Sequence, residues 1–195
     1  MDIYLLKVNK PFSEYEKYLS YASDERLEKI NKLKHDCDKS ISLLSHLFAR
    51  WQISRDLSIP FDNVTFSYNE YGKPYIEKED YHFSISHSHN IIAFTSHSSP
   101  VGIDIQKIDE TSSLSAMRFF TEKEKEYIAS DVNRFFEIWT KKEAYLKMLG
   151  VGLSKPLSSF DVLTMPLFFS TKIDTFHLSV CTEKTFNFNT SIKYV

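Results

Sequence analysis

A Ser-Ser-Pro break at residues 98–100 divides this sequence of 195 residues into two stretches that both combine helix and strand patterns. In the first stretch, apolar residues recur at three- and four-residue steps between Ile41 and Trp51, which predicts an amphipathic helix. In the second, Asp131 can cap a long helix and Gly150 can end it. We therefore predict an α+β protein with two halves, residues 1–99 and 100–195.

Short alternating stretches predict strands on both sides of the break. These predicted strands lie at residues 3–8, 64–68, 83–85, 91–96, 101–106, 160–163, 176–181, 186–189 and 192–195. Helices are predicted at residues 13–19, at 23–34 with Ser23 as N-cap, and after Asp38 as a second N-cap. The Ser/Thr-x-x-Glu pattern that begins at Thr121 predicts a capping box and thus one more helix.

Composition and charge exclude several classes of protein. The formal net charge is −2 and no long basic run exists, which argues against a nucleic-acid partner. Two cysteines without a CxxC pair indicate reduced thiols. The N-terminus lacks a signal-peptide pattern, and no apolar run is long enough to span a bilayer. We expect a monomer in the cytoplasm that binds neither nucleic acid nor membrane.

The stretch VGIDIQ at residues 101–106 carries the first candidate site residue. Alternate side chains of a strand point to opposite faces, so Val101 and Ile103 can pack inward while Gly102 and Asp104 share the other face. Gly102 would leave space beside Asp104 in which an ion or a bulky anion could approach the backbone. The same pattern also fits an edge strand with a solvated polar face.

The stretch WTKKEAYLK at residues 139–147 carries the second group of candidate site residues. Trp139, Glu143 and Lys147 are four residues apart and lie along one stripe of a helix. A carboxylate and an ammonium on that stripe could bind a metal ion and a phosphate together. The alternative is an ordinary surface ion pair between Glu143 and Lys147.

The stretch FSISHSH at residues 83–89 carries the third group of candidate site residues. The Ser86 hydroxyl and the His87 ring can donate to phosphate oxygens. His87, His89 and His97 could instead suggest zinc, although the spacing of zinc ligands is lacking. A loop histidine without a ligand is the third interpretation.

Together, the order and spacing of these motifs are specific. The series is YGKP at residues 71–74, FSISHS at 83–88, VGIDI at 101–105, RFFT at 118–121, WTKKEAYLK at 139–147 and GVGL at 150–153. It resembles the 4′-phosphopantetheinyl transferases of the long, surfactin-synthetase-activating type, over residues 1 to about 160. The resemblance implies two similar α+β halves packed as a pseudo-dimer, with coenzyme A in the cleft between them.

The resemblance also implies roles for individual residues. It implies transfer of 4′-phosphopantetheine from coenzyme A to a serine of an apo acyl or peptidyl carrier protein, with Mg²⁺ as cofactor and release of 3′,5′-ADP. The implied metal ligands are Asp104, Glu143 and Gln106. The implied contacts to coenzyme A are Arg26, Lys29, Lys73, Ser86, His87 and Lys147. The implied catalytic residues are Glu143, as candidate base, together with Lys147 and Asp104.

The chain departs from the family pattern at two positions. Gln106 stands where the family often has an acid. Ile41 stands where the family usually has a basic residue, and Lys39 could compensate for its loss. These departures leave open a coenzyme A or carrier-protein binding module with weakened catalysis. A Mg²⁺-dependent phosphohydrolase is the other alternative. Residues 112–120 are the expected docking region for the carrier, with Met117, Phe119 and Phe120 as its apolar side chains.

Overall fold

The computed structural model describes residues 1–78, 80–109, 114–165, 167–183 and 190–195, with residues 114 and 115 described by their backbone only. It confirms an α+β protein with antiparallel sheets. The strands are β1 (Asp2–Lys7), β2 (Ser67–Tyr68), β3 (Pro74–Tyr75), β4 (His82–Ser88), β5 (Ile91–His97), β6 (Val101–Lys107), β7 (Phe168–Ile173), β8 (Phe176–Thr182) and β9 (Ser191–Tyr194). They form a sheet of order β4-β5-β1-β9, a sheet of order β6-β8-β7 and the small β2-β3 ladder.

Four α-helices accompany the sheets in the described part of the chain. They are α1 (Asp24–Asn31), α2 (Asp36–Leu57), α3 (Glu122–Ile128) and α4 (Val132–Leu149). Short 3₁₀ helices lie at Phe12–Glu14, Glu16–Tyr21, Phe61–Asn63, Leu114–Phe119, Gly152–Ser154 and Leu157–Ser159. No helix within the described ranges has the length and apolar character needed to cross a membrane.

The helix ends follow local sequence closely. Ser23 accepts from the backbone N–H of Arg26, the Thr121 capping box is present, and Asp131 caps α4. Gly150 ends α4 with φ of 71°, the left-handed conformation that a glycine adopts without a Cβ clash. The Asp38 cap was wrong, because α2 begins at Asp36 after His35. The helix predicted at residues 13–19 is a pair of 3₁₀ helices instead.

One apolar core joins the two sheets. Ile3 and Leu5 of β1 pack with Val101, Ile103 and Ile105 of β6, and all five are buried. Since strand side chains alternate, the opposite face of the first sheet packs against α2 instead. The two halves therefore share their hydrophobic interior.

The seam between the sheets is made by serines. The hydroxyls of Ser84 and Ser86 on β4 accept from the backbone N–H groups of Ile103 and Ile105, at 3.0 and 3.4 Å. Ser88 accepts in the same way from Lys107, at 2.9 Å. Strand β6 is an edge of its own sheet and would otherwise leave these N–H groups without a strand partner. The two-residue spacing of the serines therefore fixes β4 and β6 in register.

Gly102 has a different role from the expected one. A Cβ at this position would lie 1.9 Å from the carbonyl oxygen of Ala144 and 2.4 Å from the amide nitrogen of Met148. The space beside Gly102 is filled by the backbone of α4, so the expectation that an anion approaches there was wrong. The absence of a side chain instead lets α4 pack directly on β6.

A turn of the first half holds the end of α4. The Asn69 side-chain amide donates to the carbonyl of Gly150 at 2.7 Å. The Lys73 ammonium donates to the carbonyls of Val101 and Met148, at 3.3 and 3.2 Å. Burial lowers the pKa of Lys73 to about 8. The Lys73 side chain therefore links the first half to the backbone of the second half.

The C-terminal region differs from the prediction in three ways. Strand β9 pairs in parallel with β1 and completes the first sheet, although the division at residue 100 assigned it to the second half. This pairing gives the outer edge of β1 a partner. The strand predicted at residues 160–163 was wrong, and β7 was not predicted. The strand predicted at 186–189 lies outside the described residues.

A fully buried ion pair holds α3 to α4. The Lys142 ammonium lies 2.8 Å from the Glu124 carboxylate, and both side chains are 0% exposed. Lys142 also donates to the carbonyls of Leu157 and Phe160, at 2.7 and 2.8 Å. The Glu124 carboxylate accepts from the Val162 N–H at 2.9 Å. The pair satisfies the backbone of the loop that follows α4.

We predict that Lys142→Met lowers the free energy of unfolding by about 3–5 kcal/mol, because it leaves a buried carboxylate without its counter-ion and two buried carbonyls without their donor. Urea unfolding followed by circular dichroism measures the change. Lys125→Met is the matched control, since Lys125 forms an exposed ion pair with Glu122, and we expect a change within about 1 kcal/mol. Equal effects of the two substitutions would contradict the prediction.

We predict that the wild-type protein gains stability relative to Lys73→Met as the pH rises above about 8. The unfolded lysine, with a pKa of about 10.4, binds more protons in this window than the folded one, so stability increases with pH. The expected gain between about pH 8 and 10 is about 1–3 kcal/mol. Urea unfolding at several pH values measures it, and the exposed Lys32→Met is the control. A difference that does not depend on pH would disprove the lowered pKa.

Candidate active site in the cleft between the halves

A cleft of about 560 Å³ lies between the two halves. Its lining includes eight of the nine site residues named from the sequence: Arg26, Lys29, Ser86, His87, Asp104, Gln106, Glu143 and Lys147. They come from α1, β4, β6 and α4, so the cleft depends on the serine seam and on the close packing at Gly102. Trp139 lines the same cleft, as the helix stripe predicted.

Asp104 lies at the centre of a hydrogen-bonded group. Its side chain is only 2% exposed, and its Oδ1 accepts from Lys147 Nζ at 2.7 Å and from Ser86 Oγ at 2.8 Å. Lys147 Nζ also donates to Ser86 Oγ at 2.7 Å. Lys147 therefore pairs with the acid of β6 across the cleft, and the interpretation of a surface pair with Glu143 was wrong.

Gln106 lies two residues after Asp104 on the same face of β6 and hydrogen-bonds to it. Its Nε2 donates to Asp104 Oδ2 at 3.2 Å, and its Oε1 accepts from Ser88 Oγ at 3.5 Å. Both carboxylate oxygens of Asp104 therefore have hydrogen-bond donors. The amide thus helps to orient the carboxylate while adding no charge.

Glu143 faces the same cleft from α4. Burial raises its pKa, and the negative charge of Asp104 raises it further, while Lys147 acts in the opposite direction. Lys147 is bound to Asp104, so two carboxylates share the cationic charge of one ammonium at this end of the cleft. This arrangement favours the arrival of additional positive charge.

His87 lies at the wall of the cleft. Desolvation within the cleft lowers its pKa, and the Lys147 ammonium is the next cause. The ring is therefore kept neutral, so that it can donate one N–H and accept at its other nitrogen.

The donor set fits a magnesium ion better than zinc. No group of three or more His, Cys, Asp or Glu side chains suited to a metal is present in the ranges that the structure describes. Asp104 and Glu143 provide two carboxylates in one cleft, and Gln106 adds an amide. Mg²⁺ is typically held by one or two carboxylates, with substrate phosphates and water as its other ligands. The residues present therefore fit Mg²⁺ together with a phosphate-bearing substrate.

The basic residues of the first half are placed differently from one another. Arg26 and Lys29 line the cleft, where Lys29 Nζ lies 4.9 Å from the centre of the Tyr68 ring. The Lys73 ammonium donates to backbone carbonyls, and Lys73 lines an adjoining cavity of about 260 Å³. Its contact with coenzyme A stays a prediction.

The departure at Ile41 has a structural consequence. Ile41 is buried in the core beneath α2, and Lys39 pairs with Asp36 at 3.5 Å and is absent from the lining of the cleft. Lys39 therefore does not replace the missing basic residue. Arg26 instead donates to the hydroxyl of Ser42, at 3.4 Å.

Sequence reasoning missed several polar residues that line the cleft on α2. Ser45 and His46 lie in the cleft, and Ser42 lies beside Arg26. Their three- and four-residue spacing, which places them along one side of α2, was the signal that could have revealed them. Tyr68 of β2 was likewise assigned only to a strand.

The expected docking region is only partly described, because residues 112 and 113 lie outside the described ranges. Phe119 is 51% exposed, whereas Phe120 is 2% exposed and stacks on Phe135 in the core. Met117 packs against the same core. Of the three apolar side chains named for docking, Phe119 is the one that the fold leaves accessible.

Comparisons with known proteins agree with this architecture. A family model described as the 4′-phosphopantetheinyl transferase superfamily matches residues 100–186, and one described as 4′-phosphopantetheinyl transferase, N-terminal, matches residues 10–99. The 4′-phosphopantetheinyl transferase Sfp of Bacillus subtilis is 38% identical over 170 residues, which cover 83% of this chain and 76% of the relative.

Two further relatives match a somewhat smaller share of the chain. The 4′-phosphopantetheinyl transferase gsp of Aneurinibacillus migulanus is 38% identical over 146 residues, covering 72% of this chain and 61% of the relative. The L-aminoadipate-semialdehyde dehydrogenase-phosphopantetheinyl transferase of Mus musculus is 28% identical over 163 residues, which cover 73% of this chain and 53% of the relative. The matches to both family models and the 38% identity with Sfp show that the chain belongs to the 4′-phosphopantetheinyl transferase superfamily.

Proposed function

We propose that this protein transfers the 4′-phosphopantetheine group of coenzyme A to a serine of an apo acyl or peptidyl carrier protein and releases 3′,5′-ADP. The observation that carries the proposal is the convergence of Asp104, Glu143 and Lys147 with Arg26 and Lys29 in one cleft. Acids at one end and cations along the wall match a substrate that carries a pyrophosphate and a phosphorylated nucleotide. Family membership supports the same reaction.

In the proposed reaction the carrier serine oxygen attacks the β-phosphorus of coenzyme A. The bond between this phosphorus and the bridging oxygen breaks, and 3′,5′-ADP leaves with that oxygen. The serine proton passes to Glu143, directly or through a water that Glu143 orients. Glu143 suits this role because it lies on α4 beside the acid group of β6 and is not engaged by the Lys147 ammonium.

Lys147, Ser86 and His87 are proposed to hold the pyrophosphate. Lys147 Nζ already lies within hydrogen-bond distance of Asp104 and Ser86, so its ammonium is directed toward the metal-binding end of the cleft. A neutral His87 ring can donate to a phosphate oxygen, and the Ser86 hydroxyl can do so by turning its proton away from Asp104. These donors would stabilise the charge that develops on the departing phosphate.

Arg26 and Lys29 are proposed to bind the phosphorylated nucleotide end of coenzyme A. Their three-residue spacing on α1 directs both cations to the same wall of the cleft. For Lys73, we propose only an indirect contribution to nucleotide binding. Its ammonium is bound to backbone carbonyls, so any contribution to nucleotide binding comes through the position of the turn at residues 69–73.

Asp104 and Glu143 are proposed to hold Mg²⁺, with Gln106 as a third ligand through its carbonyl oxygen or through a water. When bound, Mg²⁺ would neutralise pyrophosphate oxygens as a Lewis acid. The Gln106 amide nitrogen faces Asp104. Ligation by the oxygen would therefore require the amide to rotate.

The remaining parts of the proposal concern the setting of the enzyme. We propose a cytoplasmic monomer, divided into functional halves at about residue 100, with coenzyme A and the carrier protein as its binding partners. Both cysteines, Cys37 and Cys181, are free thiols, which is compatible with a reducing compartment. The exposed Phe119 is a candidate for contact with the carrier.

One experiment separates this function from its two alternatives. The protein is incubated with coenzyme A, Mg²⁺ and an apo carrier protein, and the carrier is examined by mass spectrometry. A gain of one phosphopantetheine on the serine supports the proposal. Release of 3′,5′-ADP without carrier modification indicates a phosphohydrolase, and binding of coenzyme A without either product indicates a binding module.

We predict that Glu143→Gln reduces the rate of transfer by about a hundredfold or more, because it removes the proposed base and one metal ligand. The fold is expected to persist, since burial and Asp104 already disfavour the charged form of Glu143. Carrier modification under single-turnover conditions measures the rate, and thermal unfolding measures the fold. Glu137→Gln is the matched control on the same helix, because Glu137 pairs with Lys141 and lies outside the cleft lining. An unchanged rate in Glu143→Gln would remove Glu143 from the mechanism.

We predict that Gln106→Glu increases metal affinity by roughly tenfold, because a third carboxylate adds charge to the ligand set. Electron paramagnetic resonance of bound Mn²⁺, recorded with coenzyme A present and without carrier, measures affinity independently of turnover. Asp104→Asn should abolish the bound signal. The assignment of the metal site fails if Asp104→Asn binds Mn²⁺ as tightly as the wild-type protein.

A further inference from the structure

The proposed reaction gives no role to one buried histidine of the cleft lining. His46 on α2 is 5% exposed, and neither of its ring nitrogens has a hydrogen-bond partner within the described part of the protein. The buried Ser45 Oγ and Arg26 Nε, which belong to neighbouring residues of the same cleft lining, also lack partners. Since buried polar groups are nearly always hydrogen-bonded, these adjoining groups point to a polar ligand that enters from the cleft.

The walls around His46 are suited to a flat group. Phe66 meets the imidazole edge-on, with ring centres 5.5 Å apart and planes at 84°. Ala49, Tyr68 and Pro74 line the same cleft as His46. A planar ring with polar edges could pack between these side chains and reach the nitrogen atoms of His46.

The charge of the imidazole restricts the ligand further. Burial lowers the pKa of His46 to about 4, with Arg26 and Arg50 as the next causes and Glu25 as the opposing charge. The neutral ring has one donor and one acceptor. One ring nitrogen can therefore accept from a neutral polar group, or the other can donate to one. The positive charges of Arg26 and of Lys29, which pairs with Glu25 at 2.6 Å, suit an anionic group in the same cleft.

We propose that His46 hydrogen-bonds to the adenine base of coenzyme A and so contributes to recognition of the nucleotide, an inference that rests on the proposed function. The exocyclic amino group of adenine can donate a hydrogen bond to the unprotonated ring nitrogen of the neutral imidazole. The phosphate on the ribose then lies toward Arg26 and Lys29. His46 acts here as a specificity-determining residue that is distinct from the groups at the reacting phosphorus.

The test measures equilibrium binding of three compounds by isothermal titration calorimetry. They are coenzyme A, its hypoxanthine analogue, in which an oxygen replaces the exocyclic amino group, and 3′-dephospho-coenzyme A. We expect the wild-type protein to prefer coenzyme A over both. We expect His46→Phe, which keeps an aromatic ring against Phe66, to bind coenzyme A about tenfold more weakly and to lose the preference for adenine over hypoxanthine. The preference for the 3′-phosphate should remain.

Two further variants guard against an indirect effect. His46→Gln retains a donor and an acceptor, and we expect it to recover most of the preference for adenine. His35→Phe places the same substitution at the exposed N-cap of α2 and should bind all three compounds like the wild-type protein. Thermal unfolding of each variant checks that the fold is retained.

The outcomes separate this inference from the function on which it rests. Full adenine preference in a folded His46→Phe protein overturns the inference. Loss of the 3′-phosphate preference alone also overturns it, because His46 would then contact the phosphate. If the wild-type protein does not bind coenzyme A, the proposed function itself fails, whatever His46 does.

Discussion

The seam between β4 and β6 determines most of what the cleft contains. Ser84, Ser86 and Ser88 accept from the backbone of β6 and hold the two strands in register. The same Ser86 hydroxyl donates to Asp104, which places the carboxylate beside the β4 strand. A structural hydrogen bond and the polar centre of the site thus share one side chain. Loss of the register would displace Asp104 from Lys147 and weaken the seam at the same time.

The second constraint is the close approach of α4 to β6. Gly102 permits the helix backbone to lie where a Cβ would otherwise be, and the helix stripe of Glu143 and Lys147 then faces Asp104. The Asn69 and Lys73 contacts hold the far end of the same helix. The position of Glu143 is therefore set by backbone packing at two points, and small residues are required at the first of them.

The parts of this structure that the sequence predicted are those that depend on local chemistry. The Ser23, Thr121 and Asp131 caps, the Gly150 helix end and the extent of strand β6 depend on neighbours within a few residues. The site stripe on α4 follows from helical periodicity. The pairing of β9 with β1 and the contacts of Lys73 depend on partners far away in the chain, which no local pattern encodes. His46 was missed because its site is formed by α1, α2 and β2 together.

At both ends of the cleft, charged or polar groups are not fully neutralised or hydrogen-bonded by the described part of the protein. This is the strongest physical link between the fold and a substrate. At one end Glu143 is desolvated beside Asp104, so its charged form is disfavoured until positive charge arrives. At the other end His46, Ser45 and Arg26 hold buried polar atoms that have no hydrogen-bond partner among the residues that the structure describes. A ligand with a metal-bound pyrophosphate at one end and a polar base with a phosphate at the other would satisfy both. Since each end alone is unfavourable for stability, their presence in one cleft is better explained by one extended ligand than by two independent accidents of packing.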